Sequence, residues 1–352
     1  MSGDAPAPAY SVVVADLVAD RPALMAMWRS NALQPKAVDA KFDWFYIANP
    51  YGKTRQLLLC AGPEAERVGA AGLVTRELWA RGEALSAGLL TDFYVAPEHR
   101  TLAPAMQLQR QMRKVGLELH DLLYGYPNEK SLPIVKRLGY ANLGDLAKFV
   151  RLLRYGEYLQ RWLPRWASRA PGAIIDRLLP FAFRPHRLLL QAWHGEWVAA
   201  ADDRFDALWA RVKRSAAIVG VRDQRFLTWR FFARPSHQYR VFVLSRQRGG
   251  EIAAYAVCEA IGDTFHIRDL LADPQANDAI RVLLHRLSQH AFAEGFVRLS
   301  FEFLGNATMR HTLRAAGLFE RDKAPLVIGF GPQAKDSLAG LDWYLTPADT
   351  EL

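Results

Sequence analysis

Cysteine is nearly missing from this chain, with two residues, Cys60 and Cys258, among 352. Two thiols cannot form a disulfide framework, and no Cys/His cluster has metal-ligand spacing. A stapled secreted domain and a zinc site are therefore excluded, and no metal is expected. Both cysteines lie in apolar, strand-like runs and read as inert buried thiols. No run of 18 or more apolar residues exists, so no helix is expected to span a membrane. The opening MSGDAPAPAY reads as a loose leader and not a secretory signal, and the expected setting is reduced and cytoplasmic. A nucleotide P-loop and a Gly-x-Ser-x-Gly turn are also lacking.

What is present is enough apolar content, 51%, for two domains with real cores. An amphipathic helix is expected over Val18–Leu33, with Leu24, Met27 and Trp28 on one side, followed by a segment over Lys41–Ala48. Strands are expected over Gln56–Cys60, Val68–Thr75 and Leu90–Ala96, the last ended by Pro97. Pro104 opens a stretch with Met106, Leu108, Met112, Val115 and Leu119 at helical spacing. A strand over Leu119–Tyr126 and a helix over Ser131–Leu138 stopped by Gly139 follow. Leu146–Leu153 reads as the closing strand of the first domain.

This succession returns later in the chain. Asp-x-x-x-x-Pro occurs at Asp92–Pro97 and again at Asp269–Pro274. Asn128 and Asn306 are separated by 178 residues, as are Gly139 and Gly317. Upstream, Trp44 and Pro50 match Trp229 and Pro235, 185 residues on. A repeat this long is a duplication.

The order strand, turn, helix, strand, helix around residues 90–140 resembles the central motifs of the GNAT superfamily of acyl-CoA-dependent N-acyltransferases. The resemblance implies an α+β fold of two tandem GNAT-like domains, each a mixed twisted sheet flanked by helices. The implied division is an acyl-CoA-binding domain over 1–154 and a basic amphipathic connector over 155–200. A second domain on the acceptor side, with a degenerate CoA motif, follows over 201–335, then a tail over 336–352. The family's phosphate turn, R/Q-x-x-G-x-G/A, falls on Arg100, Thr101, Leu102, Ala103, Pro104 and Ala105. Arg100 and Ala105 fit it, whereas Ala103 stands where glycine is usual. Such a turn holds a pyrophosphate on backbone N–H groups at a helix N-terminus. The second copy reads Gln275-Ala276-Asn277-Asp278-Ala279, without the arginine, so the first copy is the expected CoA site.

By matching position, the backbone of Tyr94, Val95 or Ala96 supplies the oxyanion donor, Val95 preferred, and Asn128 lines the cofactor. Asp92 is the candidate base; its partner Asp269 weakens that reading, because a residue kept in both copies can serve the fold. His99 and His120 are further proton acceptors, or ordinary core or surface residues. The family's tyrosine acid would fall on Val135, and on Leu313 in the second copy, where neither can donate. Tyr126 or Tyr124 substitutes, or the thiolate leaves unassisted. Glu302, equivalent to Tyr124, is placed to line an acceptor cleft, or is a surface carboxylate.

Residues 151–190 hold eight arginines against two acids. Arg161, Arg165 and Arg169 form one helical stripe; Tyr158, Trp162 and Trp166 form its aromatic neighbour. Three readings stand: an interdomain brace, an in-plane anchor to an anionic membrane that would make the protein peripheral, and nucleic-acid binding. The last is disfavoured because bulky aliphatics interrupt the basic groups. The implied function is acyl transfer from a CoA thioester to a primary amine of an amphiphilic or envelope-related acceptor, such as a sphingoid base in a ceramide synthase-like branch. The alternatives are a small-molecule or amino-sugar N-acetyltransferase and a catalytically decayed scaffold. No oligomeric state follows.

Overall fold

The computed structural model describes residues 9–31, 37–52, 54–156, 185–215, 217–276, 278–331 and 342–351. In the first half, β1 (Tyr10–Val14), β2 (Arg55–Ala61), β3 (Glu66–Ala80) and β4 (Glu83–Val95) pair antiparallel in sequence. Helices α1 (Arg21–Asn31) and α2 (Val38–Phe42) lie between β1 and β2. Helix α3 (Leu102–Leu119) then crosses over to β5 (Leu122–Gly125), which runs parallel to β4. Helix α4 (Leu132–Arg137) and β6 (Ala141–Leu152) complete this half.

The second half repeats the plan. After α5 (Arg187–Gln191), β7 (His194–Val198) pairs antiparallel with β9 (Tyr239–Ser245), as β1 does with β2. Helix α6 (Asp203–Val212), the short β8 (Ile218–Gly220) and helix α7 (Gln224–Leu227) intervene. Strands β10 (Ile252–Ile261) and β11 (Thr264–Ala272) follow; helix α8 (Ala279–Ala293) leads to β12 (Arg298–Phe303), parallel to β11. Helix α9 (Ala307–Ala315), β13 (Phe319–Phe330), the two-residue β14 (Trp343–Tyr344) and a 3₁₀ turn over Pro347–Asp349 follow.

The duplication extends to backbone irregularities. Asp43–Ile47 and Thr228–Phe232 are both single π-turns, closed by Ala48 N–H on Asp43 O and Ala233 N–H on Thr228 O, each at 2.8 Å. Such turns are rare and hold a side chain out of helical register. Gly139 and Gly317 both end their helices at φ 82°, a conformation a side chain would strain. Asn306 caps α9 through Met309 N–H, and Asn128 accepts from Lys130 and Ser131 N–H ahead of α4.

The α+β architecture is present as expected, but the halves are joined more closely than two beads on a string. Strand β6 pairs with β12, and β13 sits between β5 and β6, so one continuous 14-stranded sheet runs through both halves. The segment read as closing the first domain therefore pairs only with strands of the second half. One core also crosses the seam, packing Trp28, Phe45 and Tyr124 with Phe205, Trp229 and Tyr255. A second core lies under α3, with Leu57, Leu108, Met112 and Leu123.

Local boundaries differ from expectation for simple reasons. Helix α3 begins at Leu102, so Pro104 takes its third position. It runs to Leu119, and β5 is correspondingly short. Strand β7 falls inside the segment read as connector, because five residues of mixed polarity (HGEWV) give no strand pattern. The described part of the segment read as a tail, residues 342–351, joins the core: Leu345, Thr346, Ala348 and Asp349 are all buried. Among the described residues no helix is long and apolar enough to cross a membrane, and no three His, Cys, Asp or Glu side chains cluster as metal ligands would. Both cysteines are buried, Cys60 in β2 and Cys258 in β10.

Candidate active site

Strands β4 and β5 stay paired only as far as Leu90 and Gly125. Beyond that, β4 carries an irregularity facing Ala70–Gly72, and Asp92 adopts φ 47°, unusual for a side-chain-bearing residue. The bulge bends β4 away, and a cleft of about 1570 Å³ opens where the two strands part. It is lined from the first half by Asp92, Tyr94, Val95 and Tyr126 and by the turn residues Arg100, Thr101, Leu102 and Ala105. Asn128 and Val135 also line it, and Glu302, Arg234 and Arg268 come from the second half. Of the residues singled out above, the lining gathers Asp92, Tyr94, Val95, Arg100, Thr101, Leu102, Ala105, Tyr126, Asn128 and Glu302, but not Ala96, His99, Ala103, Pro104, His120 or Tyr124; Ala103 is exposed at the start of α3.

The equivalent corner of the second half is filled. Leu345 forms a bridge with Leu304, and Thr346 Oγ1 donates to Asp269 Oδ1 at 2.7 Å. Their repeat counterparts, Tyr126 and Asp92, face the open cleft. The C-terminal segment thus occupies the place that the first half leaves free. Asp269 is held there by Arg222 Nε at 2.9 Å and Tyr255 OH at 2.7 Å, and Arg222 also binds Asp349 at 2.6 Å. Buried charges persist only with such partners.

At the phosphate turn, Pro97–His99 forms a 3₁₀ turn, and Thr101 N–H is spent on His99 O at 2.7 Å. Thr101 is the N-cap of α3, yet its side chain makes no capping bond. The first N–H groups of the 18-residue α3, at Leu102 and Ala103, therefore have no helical acceptor and keep the positive end of the helix available. Arg100 does not reach outward: its Nε donates to Val95 O at 2.7 Å and its guanidinium lies 5.6 Å from the Tyr94 ring. Ala96 N–H donates to Val68 O on β3 at 2.7 Å. Strand alternation then turns the Val95 N–H to the opposite edge, which β5 no longer pairs.

Asp92 is heavily engaged. Lys41 Nζ lies 2.7 Å from Oδ1, and Tyr46 OH and Thr91 Oγ1 donate to Oδ2. Its backbone N–H donates to Glu351 Oε2 at 3.2 Å. Burial works against the Lys41 charge, but the Asp92 and Glu351 carboxylates outweigh it and raise the Lys41 pKa. Glu351 lines the cleft and its Oε2 accepts the Asp92 N–H, although the residue as a whole is exposed. Withdrawal from bulk water, then repulsion from Asp92, raises its pKa against the pull of Lys41. Sequence reading missed Glu351, because nothing around it in the sequence marks it as reaching Asp92, 259 residues upstream.

The Tyr126 ring lines the cleft, but its hydroxyl is shut away from solvent without a hydrogen-bond partner. Burial lifts its pKa well above the ordinary phenol. Tyr124 is fully buried at the seam, where its hydroxyl donates to Asp349 O. His99 and His120 lie outside the cleft, bonded to Tyr10 OH and Ser86 Oγ. Val135 and Leu313 are buried. Asn128 lines the cleft, with its amide oxygen occupied by the turn before α4. Arg161, Trp162, Arg165, Trp166 and Arg169 lie outside the described residues.

No family model matches the sequence, and no curated protein matches it. Solved structures do. A GCN5-related N-acetyltransferase from Kribbella flavida is 14% identical, with a TM-score of 0.62 over 96% of this chain and 75% of that one. A tandem GNAT protein from the clavulanic acid biosynthesis pathway is 14% identical, with a TM-score of 0.51 over 92% and 98%. Saccharomyces cerevisiae N-myristoyltransferase with bound myristoyl-CoA is 13% identical, with a TM-score of 0.54 over 94% and 81%. At such identities the likeness establishes the fold, two GNAT-like units in tandem.

Proposed function

We propose that this protein moves an acyl group from a CoA thioester to a primary amine. One observation carries the reading: bare N–H groups at the start of α3 beside a slot that opens where β4 and β5 part. The helix end suits a diphosphate, and the slot suits the extended arm that follows it. A CoA diphosphate needs no glycine here, since the Ala103 methyl stays out of the cleft. The unpaired Val95 N–H is the donor for the developing oxyanion.

Glu351 is better placed than Asp92 to take the proton of the attacking amine. Both Asp92 oxygens are occupied by Lys41, Tyr46 and Thr91, whereas Glu351 has a raised pKa and faces the cleft. The hydroxyls of Tyr126 and Tyr124 are turned away from the cleft or spent on Asp349 O, so in this reading the thiolate departs without either as its acid. A narrower reading makes the acceptor amphiphilic, such as a sphingoid base. It rests on the arginines and tryptophans of residues 155–200, which would hold the protein peripherally on an anionic membrane. A small-molecule amine remains the alternative acceptor.

A second reading, a scaffold that binds without turning over, is favoured by Val135 at the family's acid position and by the inward-turned Tyr126 hydroxyl. Calorimetry with acetyl-CoA and palmitoyl-CoA, with thiol release measured over a range of amines, separates the two. Binding with release supports the transferase. Binding without release from any amine supports the scaffold, and binding of neither thioester removes both.

A further inference from the structure

The cleft has a second charged end that acyl transfer from CoA does not itself require. Arg234 enters it from the second half, in the loop between the π-turn and β9. Its guanidinium lies 5.1 Å from the Trp44 ring, and Nη1 donates to Tyr239 OH at 2.6 Å. Among the described residues no carboxylate lies within ion-pair distance of it. The nearest acid of this wall, Glu259, is already shared: it accepts from His237 Nδ1 and from Arg268 Nε, each at 2.7 Å. Arg230, behind Arg234, hydrogen-bonds the carbonyls of Pro347, Ala348 and Thr350.

Arg234 therefore brings to this wall of the cleft a cation with no carboxylate partner among the described residues, in a setting partly withdrawn from water. Burial accordingly depresses the Arg234 pKa. The same cleft is lined by Asp92 and Glu351, with Lys41 beside them. Glu302, on β12 next to Arg268, is a further carboxylate of the lining. A cleft that offers both a cation without a carboxylate partner and a carboxylate pair matches a molecule that carries both signs.

We infer that the acceptor amine also carries an anionic group, a carboxylate or a phosphate, which Arg234 binds with its planar fork while the amine faces Asp92 and Glu351. The Trp44 ring and the Tyr239 hydroxyl hold the guanidinium in place, so the anion's position sets the amine's distance from Val95. Arg268 adds charge at longer range and keeps its own partner. This reading rests on the proposed transferase function and narrows its acceptor.

The test is calorimetric binding of paired amines to the full chain, with and without CoA: O-phosphoethanolamine against ethanolamine, and glycine against glycinamide. At least one acidic member is expected to bind about tenfold or more tightly than its neutral partner. The pair that discriminates identifies the anion. Arg234→Gln should reduce that preference about tenfold, Arg234→Lys should keep part of it, and CoA affinity should not change in either variant. Equal binding of neutral and acidic members, failure of every acidic amine to bind, or an unaltered preference in Arg234→Gln overturns the inference. Should the wild-type chain fail to bind any CoA thioester, the transferase reading falls, and the measurement made without CoA still decides the anion site.

Discussion

Trp44 and Trp229 each donate their indole N–H to the other's backbone carbonyl, at 2.6 Å and 2.9 Å, with rings stacked at 5.3 Å. The two residues occupy the same place in the repeat and sit on the two π-turns. The reciprocal pair marks a local two-fold relation between the halves, and it brings the cleft-lining Trp44 under Arg234.

Replacing either indole with Phe leaves a buried carbonyl without its donor. Trp44→Phe and Trp229→Phe should each lower unfolding stability by about 1–3 kcal/mol. In a urea-denaturation cycle the double variant should lose clearly less than the sum. Strict additivity would show that the two bonds do not act as a pair.

Arg222 holds Asp269 and Asp349 with all three side chains buried. Arg222→Met strands two carboxylates and should cost about 3–5 kcal/mol. Since Asp349 belongs to the C-terminal segment, limited proteolysis should then cut near residues 342–351 faster than elsewhere. An unchanged cleavage pattern would show that the segment is pinned by other contacts.

His266 hydrogen-bonds Ser300 Oγ at 2.8 Å, and burial lowers its pKa from 6.5 to about 4. The folded chain thus refuses a proton that the unfolded chain accepts. The stability from neutral His266 is full above pH 6.5 and is lost as pH falls to about 4. A His266→Gln variant should show a shallower decline across that window in pH-dependent denaturation.

An acid introduced at the start of α3 separates helix stability from ligand binding. Ala103→Asp should stabilise the helix by about 0.3–1 kcal/mol through the macrodipole. It should also weaken CoA binding by at least about tenfold, because the carboxylate opposes a diphosphate at the same N–H groups. Thermal unfolding and calorimetry on one preparation check both signs.

Changing Arg161, Arg165 and Arg169 together to Glu should abolish co-sedimentation with anionic phosphatidylserine vesicles and leave CoA affinity unchanged. Vesicle binding that persists would remove the connector from any membrane role.

The sequence made the duplication legible because paired tryptophans, asparagines and helix-ending glycines answer to local backbone needs that survive divergence. Asn306 and Gly317 are still the cap and the stop that Asn128 and Gly139 are. The turn at the start of α3 could be placed for the same reason, since it is local, whereas the bulge at Asp92 that opens the cleft left no mark in the sequence. What could not be read was pairing between distant segments. Nothing in the pattern of Ala141–Leu152 says which strand it will lie beside, and nothing in Thr346 or Asp349 points to Asp269. Glu351 was hidden in the same way, as was Arg234, whose charge reads as surface until Trp44 covers it.

The crossed positions of β6 and β13 bear on how such a chain can be cut or can diverge. A fragment ending after residue 154 would leave the β5 flank bare and carry a twelve-residue strand with no sheet to join, an invitation to aggregate. A nick in the connector, by contrast, would leave the pieces stitched through the sheet. Interlocking of this kind lets one copy surrender its own ligand slot to the chain's last residues without drifting free of the other.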